Sequence, residues 1–152
     1  MQTLMILLKH AESDRDAAFV ACQRVTEALL AADRQLEELL NYRRDYEARW
    51  TAQFSQLGRM ELVHCYHDFM GRLSQAVEQQ QHAVHAATGQ KDLALRALQE
   101  RELRVASVGK LIERRCKEIR SNADKREQKQ LDEMSARMAR NAPFGAAFAS
   151  TH

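Results

Sequence analysis

The chain has 152 residues, and half of them are Ala, Glu, Lys, Leu or Arg, whereas Pro occurs once and Gly five times. This composition is typical of long helices and coiled coils, and it argues against sandwiches, barrels and doubly wound sheets, which need frequent turn residues. The formal net charge is only +2, and the positive excess lies in residues 110–152, which carry ten basic and six acidic side chains. This distribution favours an acidic partner for the last third and argues against a uniformly basic nucleic-acid-binding protein.

The first eight residues are mostly apolar, but they lack a basic start and a small-residue cleavage site. We therefore expect them to begin a helix and not a signal peptide. No apolar run reaches 18 residues, so no membrane insertion is expected. The three cysteines, an odd number without a CxxC spacing, predict a reducing, cytoplasmic compartment in preference to a disulfide framework.

A heptad pattern runs through the first part of the chain and predicts a helix over about residues 3–56. One core position falls on Arg15, Cys22, Leu29, Leu36, Arg43, Trp50 and Leu57. The other core position falls on Ala11, Ala18, Val25, Ala32, Leu39, Tyr46 and Gln53. Such a stripe must be covered by another helix.

Gly58 is the strongest helix stop in this region, and we place a turn at about residues 57–61. A second heptad pattern predicts a helix over about residues 62–140. Its core positions fall on Met70, Val77, Val84, Lys91, Leu98, Val105, Ile112 and Ile119, and on Tyr66, Leu73, Gln80, Ala87, Ala94, Arg101, Val108 and Arg115.

A short connection between two striped helices predicts an all-α fold, a long antiparallel two-helix coiled-coil hairpin that forms one domain over residues 1–140. The last twenty or so residues of the second helix outrun the first helix, because the second is longer. The tail over 141–152, which contains Pro143 and many small residues, is expected to be disordered. Charged side chains that interrupt the core, such as Arg43 and Lys91, can extend out of a two-helix seam, or they can loosen it.

Aromatic side chains are concentrated near the turn. Tyr46 and Tyr66 occupy core positions, whereas Tyr42 and Phe69 each precede a core residue by one place. In an antiparallel pair these flanking positions of both helices lie on one edge, which predicts a protein-docking surface, with local packing as the alternative. The candidate edge comprises Gln35, Leu39, Tyr42, Tyr46, Phe69, Leu73, Ala76 and Gln80.

No sequence motif predicts catalysis. Carboxylates are spread along helix faces beside Arg and Lys, where they form pairs between neighbouring turns. His64, Cys65 and His67 lie close together, but no further ligands complete a recognisable metal set. We therefore expect neither enzymatic activity, nor a metal, nor a cofactor.

Two stretches of the chain form recognisable patterns. The first is a charged C-terminal signature, formed by Arg126, Glu127, Gln128, Lys129, Asp132 and Glu133. The second is an aromatic and apolar pattern, formed by Tyr66, Phe69, Leu73, Ala76, Val77, Glu78 and Gln79. Together with the spacing of Tyr42 and Tyr46 in the N-terminal arm, these patterns resemble the flagellar FliJ family, and the resemblance covers nearly the whole chain except the tail.

The resemblance implies a cytoplasmic component of flagellar type III export, peripheral at the inner membrane, with an antiparallel coiled coil like the gamma-subunit stalk of rotary ATPases. It implies that the end with both termini binds the hexameric export ATPase and promotes ring assembly. The candidate residues for that contact are Arg115, Lys117, Arg120, Lys125, Arg126, Glu127, Gln128, Lys129, Asp132 and Glu133.

The same resemblance implies that the middle of the hairpin binds the cytoplasmic domain of the export gate protein FlhA, and that the protein escorts export chaperones. The aromatic and apolar edge around Tyr42 and Phe69 becomes the candidate gate contact. Two alternatives remain at this point, namely a stalk protein of an injectisome and a structural dimerisation coiled coil. A basic coiled-coil arm for nucleic acid is disfavoured, because the basic segment has no interleaved aromatic residues.

Overall fold

The computed structural model describes residues 1–54 and 60–142, except for the side chain of Phe54. Helix α1 spans Gln2–Arg49, a π-helix follows over Trp50–Phe54, and helix α2 spans Met60–Asn141. No β-strand occurs within these described ranges. The predicted all-α helical hairpin, two long helices with a short linker, is confirmed.

The ends of the helices differ in detail from the sequence expectation. Helix α2 begins at Met60, two residues before the expected start, and Glu61 in its first turn interacts favourably with the helix dipole. The remainder of the predicted turn, residues 57–59, lies outside the described residues. So does the predicted tail after Ala142, whereas Asn141 is still the last residue of α2.

The π-helix was not predicted from the sequence, which favoured an α-helix to about residue 56. At its start, the Thr51 hydroxyl donates a hydrogen bond to the Glu47 carbonyl oxygen at 2.9 Å. Threonine hydroxyls that bond to the carbonyl four residues earlier compete with the backbone and commonly perturb a helix. Gln53, a predicted core residue, is exposed in this π-helix.

Contacts divide the chain into two compact units, each of which is described by itself. Unit 2 comprises Lys9–Val105, and unit 1 comprises Met1–Leu8 together with Ala106–His152. The hypothesis that residues 1–140 form one continuous coiled coil stays a prediction.

The seam of unit 2 follows the heptad pattern. Every predicted core position from Ala11 to Trp50, and every one from Tyr66 to Val105, is buried or half-buried. The most deeply buried side chains are Ala11, Cys22, Leu73 and Val77. Within the described residues no side chain is completely enclosed, because two helices can cover only one face of each other. The core is therefore a narrow strip in which each apolar residue matters.

Contacts across the seam fix an antiparallel register. The Gln80 side-chain amide donates a hydrogen bond to the Ala32 carbonyl oxygen at 2.9 Å, and the rings of Tyr46 and Tyr66 stack at 5.8 Å. Moving forward by two heptads along α1 therefore means moving back by two heptads along α2. Gln80, a polar residue in an apolar stripe, satisfies its amide on the backbone of the opposite helix, which supports this register.

In the described part of unit 1, side chains are partly buried only in the first eight residues and in the adjoining part of α2 up to Ile112. Leu4, Leu8, Val108 and Ile112 are half-buried, whereas every described residue from Glu113 to Ala142 is exposed. Two predicted core residues, Arg115 and Ile119, are therefore not in a core. Their heptad spacing is regular, but the described residues of α1 do not cover them.

Candidate protein-binding surfaces

The first candidate surface is the edge of unit 2 formed by the eight residues predicted above, which we call the aromatic edge. The rings of Tyr42 and Phe69 meet edge to face with centroids 6.2 Å apart, and the Tyr46 ring lies 4.4 Å from Phe69. The flanking positions of the two helices therefore share one edge, as the heptad assignment predicted. All eight residues lie on α1 and α2 between Gln35 and Gln80.

A stack of rings continues from this edge towards the end of α1. Tyr66 lies between Tyr46 and Trp50, with ring centroids 5.8 and 4.2 Å away, and His67 packs edge to face against it. Aromatic pairs of this kind contribute about 0.5–1.5 kcal/mol beyond their buried area. Burial raises the pKa of the Tyr66 hydroxyl above its usual value, and the charges of Glu47 and Tyr46 raise it further. Because the rings of Tyr46, Tyr66 and Trp50 pack against one another, they hold the aromatic edge in a defined shape.

Exposure divides the aromatic edge into a surface and a support. Tyr42 is 53% exposed and Gln35 is also exposed, whereas Leu39, Tyr46, Phe69, Ala76 and Gln80 are half-buried. Leu73 is buried in the seam, where it packs below the surface and cannot itself touch a partner. A partner at this edge would contact Tyr42 first.

A shallow groove of about 390 Å³ lies beside Tyr42, and it is lined by Gln35, Glu38, Leu39, Tyr42 and Gln80. Glu38 was missed by the sequence analysis, although it precedes Tyr42 by four residues and so shares its helix face. The groove combines the apolar Leu39 side chain and the Tyr42 ring with two amides and the Glu38 carboxylate. This arrangement suits a protein side chain that combines an apolar stem with a polar end.

The second candidate surface is the part of α2 after Ile112, which we call the C-terminal helix (residues 113–142). It contains all ten residues predicted to contact the ATPase, and every one of them is exposed. Arg115 pairs with Glu118 at 3.3 Å, and the Gln128 amide donates to the Asp132 carboxylate at 3.4 Å. Exposed pairs of this kind hold charges only weakly, so the charged groups remain able to exchange partners.

The C-terminal helix also carries an apolar stripe that the sequence analysis missed. Leu131, Met134 and Met138 are exposed and spaced three and four residues apart, which places them on one helix face. Residues 113–142 carry nine basic and six acidic side chains in all. The C-terminal helix is therefore a net basic helix with one apolar stripe, and the spacing of its apolar residues was the signal for that stripe.

The described residues offer no cation site. No group of three His, Cys, Asp or Glu side chains in residues 1–54 and 60–142 is arranged to hold a metal ion. His64, Cys65 and His67 are exposed on the first turns of α2. Cys65 and Cys116 are exposed free thiols, whereas Cys22 lies in the seam as a small apolar residue.

In the part of the chain that the structure describes, neither helix has the length and apolar character needed to cross a membrane.

Comparison with known proteins identifies a family. Residues 1–143 match a family model described as "Flagellar FliJ protein", which therefore covers almost all of the chain. No curated protein and no solved structure matches the chain significantly. The match includes the aromatic edge and the whole of the C-terminal helix.

Proposed function

Because the chain belongs to the flagellar FliJ family, a non-catalytic component of flagellar export, we propose that it is the stalk protein of that export apparatus. In this role it works by binding, not by bond-making. Its C-terminal helix binds the hexameric export ATPase and promotes assembly of the ring, and its aromatic edge binds the cytoplasmic domain of the export gate protein FlhA. It also escorts export chaperones between cargoes, and it works in the cytoplasm at the inner face of the flagellar base.

The observation that carries the ATPase proposal is that every residue over 113–142 is exposed, all but the last of them on one continuous helix. The side chains from Arg115 to Glu133 make no contact across a seam, so they are free to meet the residues that line a ring. A helix is also slim, about 10–12 Å across with its side chains, which suits insertion at the centre of a hexamer. Charges of both signs outside the apolar stripe allow contacts with several subunits at once.

The proposal for the export gate rests on the exposed half of the aromatic edge. Tyrosine is enriched at binding hot spots, because it combines a large apolar ring with a hydroxyl that can still form a hydrogen bond. The Tyr42 ring packs against Phe69, which in turn packs against Tyr46, so little conformational entropy is lost when a partner covers Tyr42. The edge therefore has an anchor, a groove beside it and a rigid base.

The direct test is the ATPase activity and ring formation of the export ATPase from the same organism, with and without this protein. We expect the protein to raise the rate of ATP hydrolysis and to shift the ATPase from monomers to hexamers in sedimentation velocity. Unchanged activity and an unchanged ATPase sedimentation profile, at protein concentrations far above those of the ATPase, would overturn the stalk proposal.

Replacing Tyr42 and Phe69 by Ala is expected to weaken binding to the cytoplasmic domain of FlhA by at least about tenfold, since anchor residues of an interface typically carry 1–2 kcal/mol or more. Tyr42→Ala alone should account for most of the loss, because only Tyr42 is largely exposed. The affinity is measured by isothermal titration calorimetry, and helix content by circular dichroism.

The matched control for this experiment is Leu103→Ala, which removes another exposed apolar side chain from unit 2, away from the aromatic edge. We expect the control to bind the gate domain like the wild type. Full affinity in the Tyr42→Ala and Phe69→Ala double variant would show that the rings serve packing alone.

A further inference from the structure

The edge of unit 2 opposite the aromatic edge exposes a second apolar patch. Phe19 and Leu95 each follow a core residue by one place, and they are 51% and 38% exposed. Their core neighbours, Ala18 and Ala94, lie two heptads from the Ala32 and Gln80 pair that fixes the register. Phe19 and Leu95 therefore lie at one level of the hairpin and on the same edge. Leu30, also exposed, lies three turns along α1 from Phe19 on the same side.

Acidic residues surround this patch. Along its edge, over residues 12–33 of α1 and 81–102 of α2, the outward positions carry five carboxylates and neither Lys nor Arg. These carboxylates belong to Glu12, Asp16, Asp33, Asp92 and Glu102, and we call the surface the acidic edge. Arg15, which comes from the seam, pairs with Asp16 at 3.1 Å and neutralises only that group.

The imbalance is much larger on this side of unit 2. Over the same residues, the outward positions on the side of the aromatic edge carry Asp14 and Glu100 together with Arg24, a net charge of −1 against −5 on the acidic edge. An apolar centre with a one-sided acidic rim is complementary to a basic amphipathic helix, whose apolar side chains dock and whose cations meet the carboxylates.

The C-terminal helix of this same chain has that chemistry. It exposes Ile119, Leu131 and Met134, and it carries Lys117, Arg120 and Lys125 among its nine basic side chains. Phe19 and Leu30 are about 17 Å apart along α1, and the stripe from Leu131 to Met138 is about 11 Å long on one face of α2, so the stripe fits within the length of the patch. We propose that the acidic edge of one copy binds the C-terminal helix of a second copy.

This self-association does not depend on the proposed role in export, and its consequence concerns the free protein. In the associated form the apolar stripe and several cations of the C-terminal helix are covered by the second copy. The segment is thereby protected until a competing partner displaces it. Because cations and carboxylates face each other at an exposed interface, the association weakens as salt rises and shortens the Debye length from about 10 Å at 0.1 M towards about 3 Å at 1 M.

The test is sedimentation velocity of the full chain alone, over a range of protein concentrations, at about 0.03 M and about 0.5 M salt. We expect dimers or larger species at low salt and monomers at high salt. Phe19→Ser combined with Leu95→Ser should weaken the association at low salt by at least about tenfold. Leu93→Ser combined with Leu103→Ser, which changes two exposed leucines away from the acidic edge, should leave it unchanged.

A charge exchange gives a second, independent measurement. One variant carries Asp33→Lys and Asp92→Lys on the acidic edge, and another carries Lys117→Glu and Arg120→Glu on the C-terminal helix. All four positions are exposed, so neither variant should lose helix content. Each variant alone should be monomeric at low salt, and a mixture of the two should associate again.

Three results would overturn the proposal. The first is a wild-type chain that is monomeric at low salt at every concentration. The second is association that survives the Phe19 and Leu95 double variant but is lost on Tyr42→Ala, which would assign self-association to the aromatic edge. The third is a charge-exchanged mixture that stays monomeric while each variant remains helical. No result of this experiment bears on the export ATPase, which is absent from it.

Discussion

A chain that ends after Ser121 is expected to lose its stimulation of the export ATPase and to keep the thermal stability of the hairpin. The deletion removes Lys125, Arg126 and Lys129, together with the acidic groups Asp132 and Glu133 of the same segment. All of residues 122–142 are exposed and none contributes buried apolar surface, so the midpoint of unfolding should change little. ATP hydrolysis should return to the rate of the ATPase alone, and circular dichroism should show a folded, shorter helix.

A full-length variant separates the charges from the length of the helix. Lys125→Ala, Arg126→Ala and Lys129→Ala together should weaken binding to the ATPase by roughly tenfold, which corresponds to about 1.4 kcal/mol. The matched control replaces three exposed basic residues of unit 2, Arg24, Arg34 and Arg96, by Ala and should bind normally. Stimulation of the ATPase by the chain that ends at Ser121, at the level of the full chain, would move the contact site to another part of the molecule.

The heptad pattern was sufficient to predict the seam of unit 2, because residues at the core positions of a heptad face the opposite helix and are buried by it. Cys22 and Val77 are both buried, and both occupy core positions of the heptad assignment. The same assignment failed at Ile119, which is spaced like a core residue but has no opposite helix. Spacing is a local property of one helix, whereas burial also depends on whether another helix lies opposite. The π-helix was missed for a similar reason, since it follows from backbone hydrogen bonding and not from a hydrophobic period.

The positions of the candidate residues along the helices were predictable from the sequence, but the burial of each side chain and the lining of the groove were not. The heptad assignment placed Tyr42 and Phe69 on one edge, and their ring contact follows from it. It could not show that Leu73 is buried below that edge or that Glu38 lines the groove, because both depend on distances between side chains. The acidic edge was missed because its carboxylates come from two distant stretches of the chain, which only the register brings to one side.

Leu73→Ala is expected to lower the free energy of unfolding by about 2–4 kcal/mol, the largest stability effect among the substitutions considered. Leu73 is only 7% exposed and Val77, one turn further on, is 4% exposed. In a globular protein a truncated leucine is one of many buried side chains. Here it belongs to a strip in which none of the described side chains is fully enclosed, so its neighbours cannot compensate for the lost contacts. Urea unfolding followed by circular dichroism at 222 nm measures the change.

The exposed Leu103→Ala substitution provides the matched control, and it should change the free energy of unfolding by no more than about 0.5 kcal/mol. A cost at Leu73 as small as that at Leu103 would mean that the two helices separate before the unfolding transition, and would contradict a stable seam. If the expected cost is found, the Leu73→Ala chain should still bind the gate domain well below its unfolding temperature, because Tyr42 and the groove beside it remain. The same residue would then be essential for stability and dispensable for contact, which distinguishes the support of the aromatic edge from its surface.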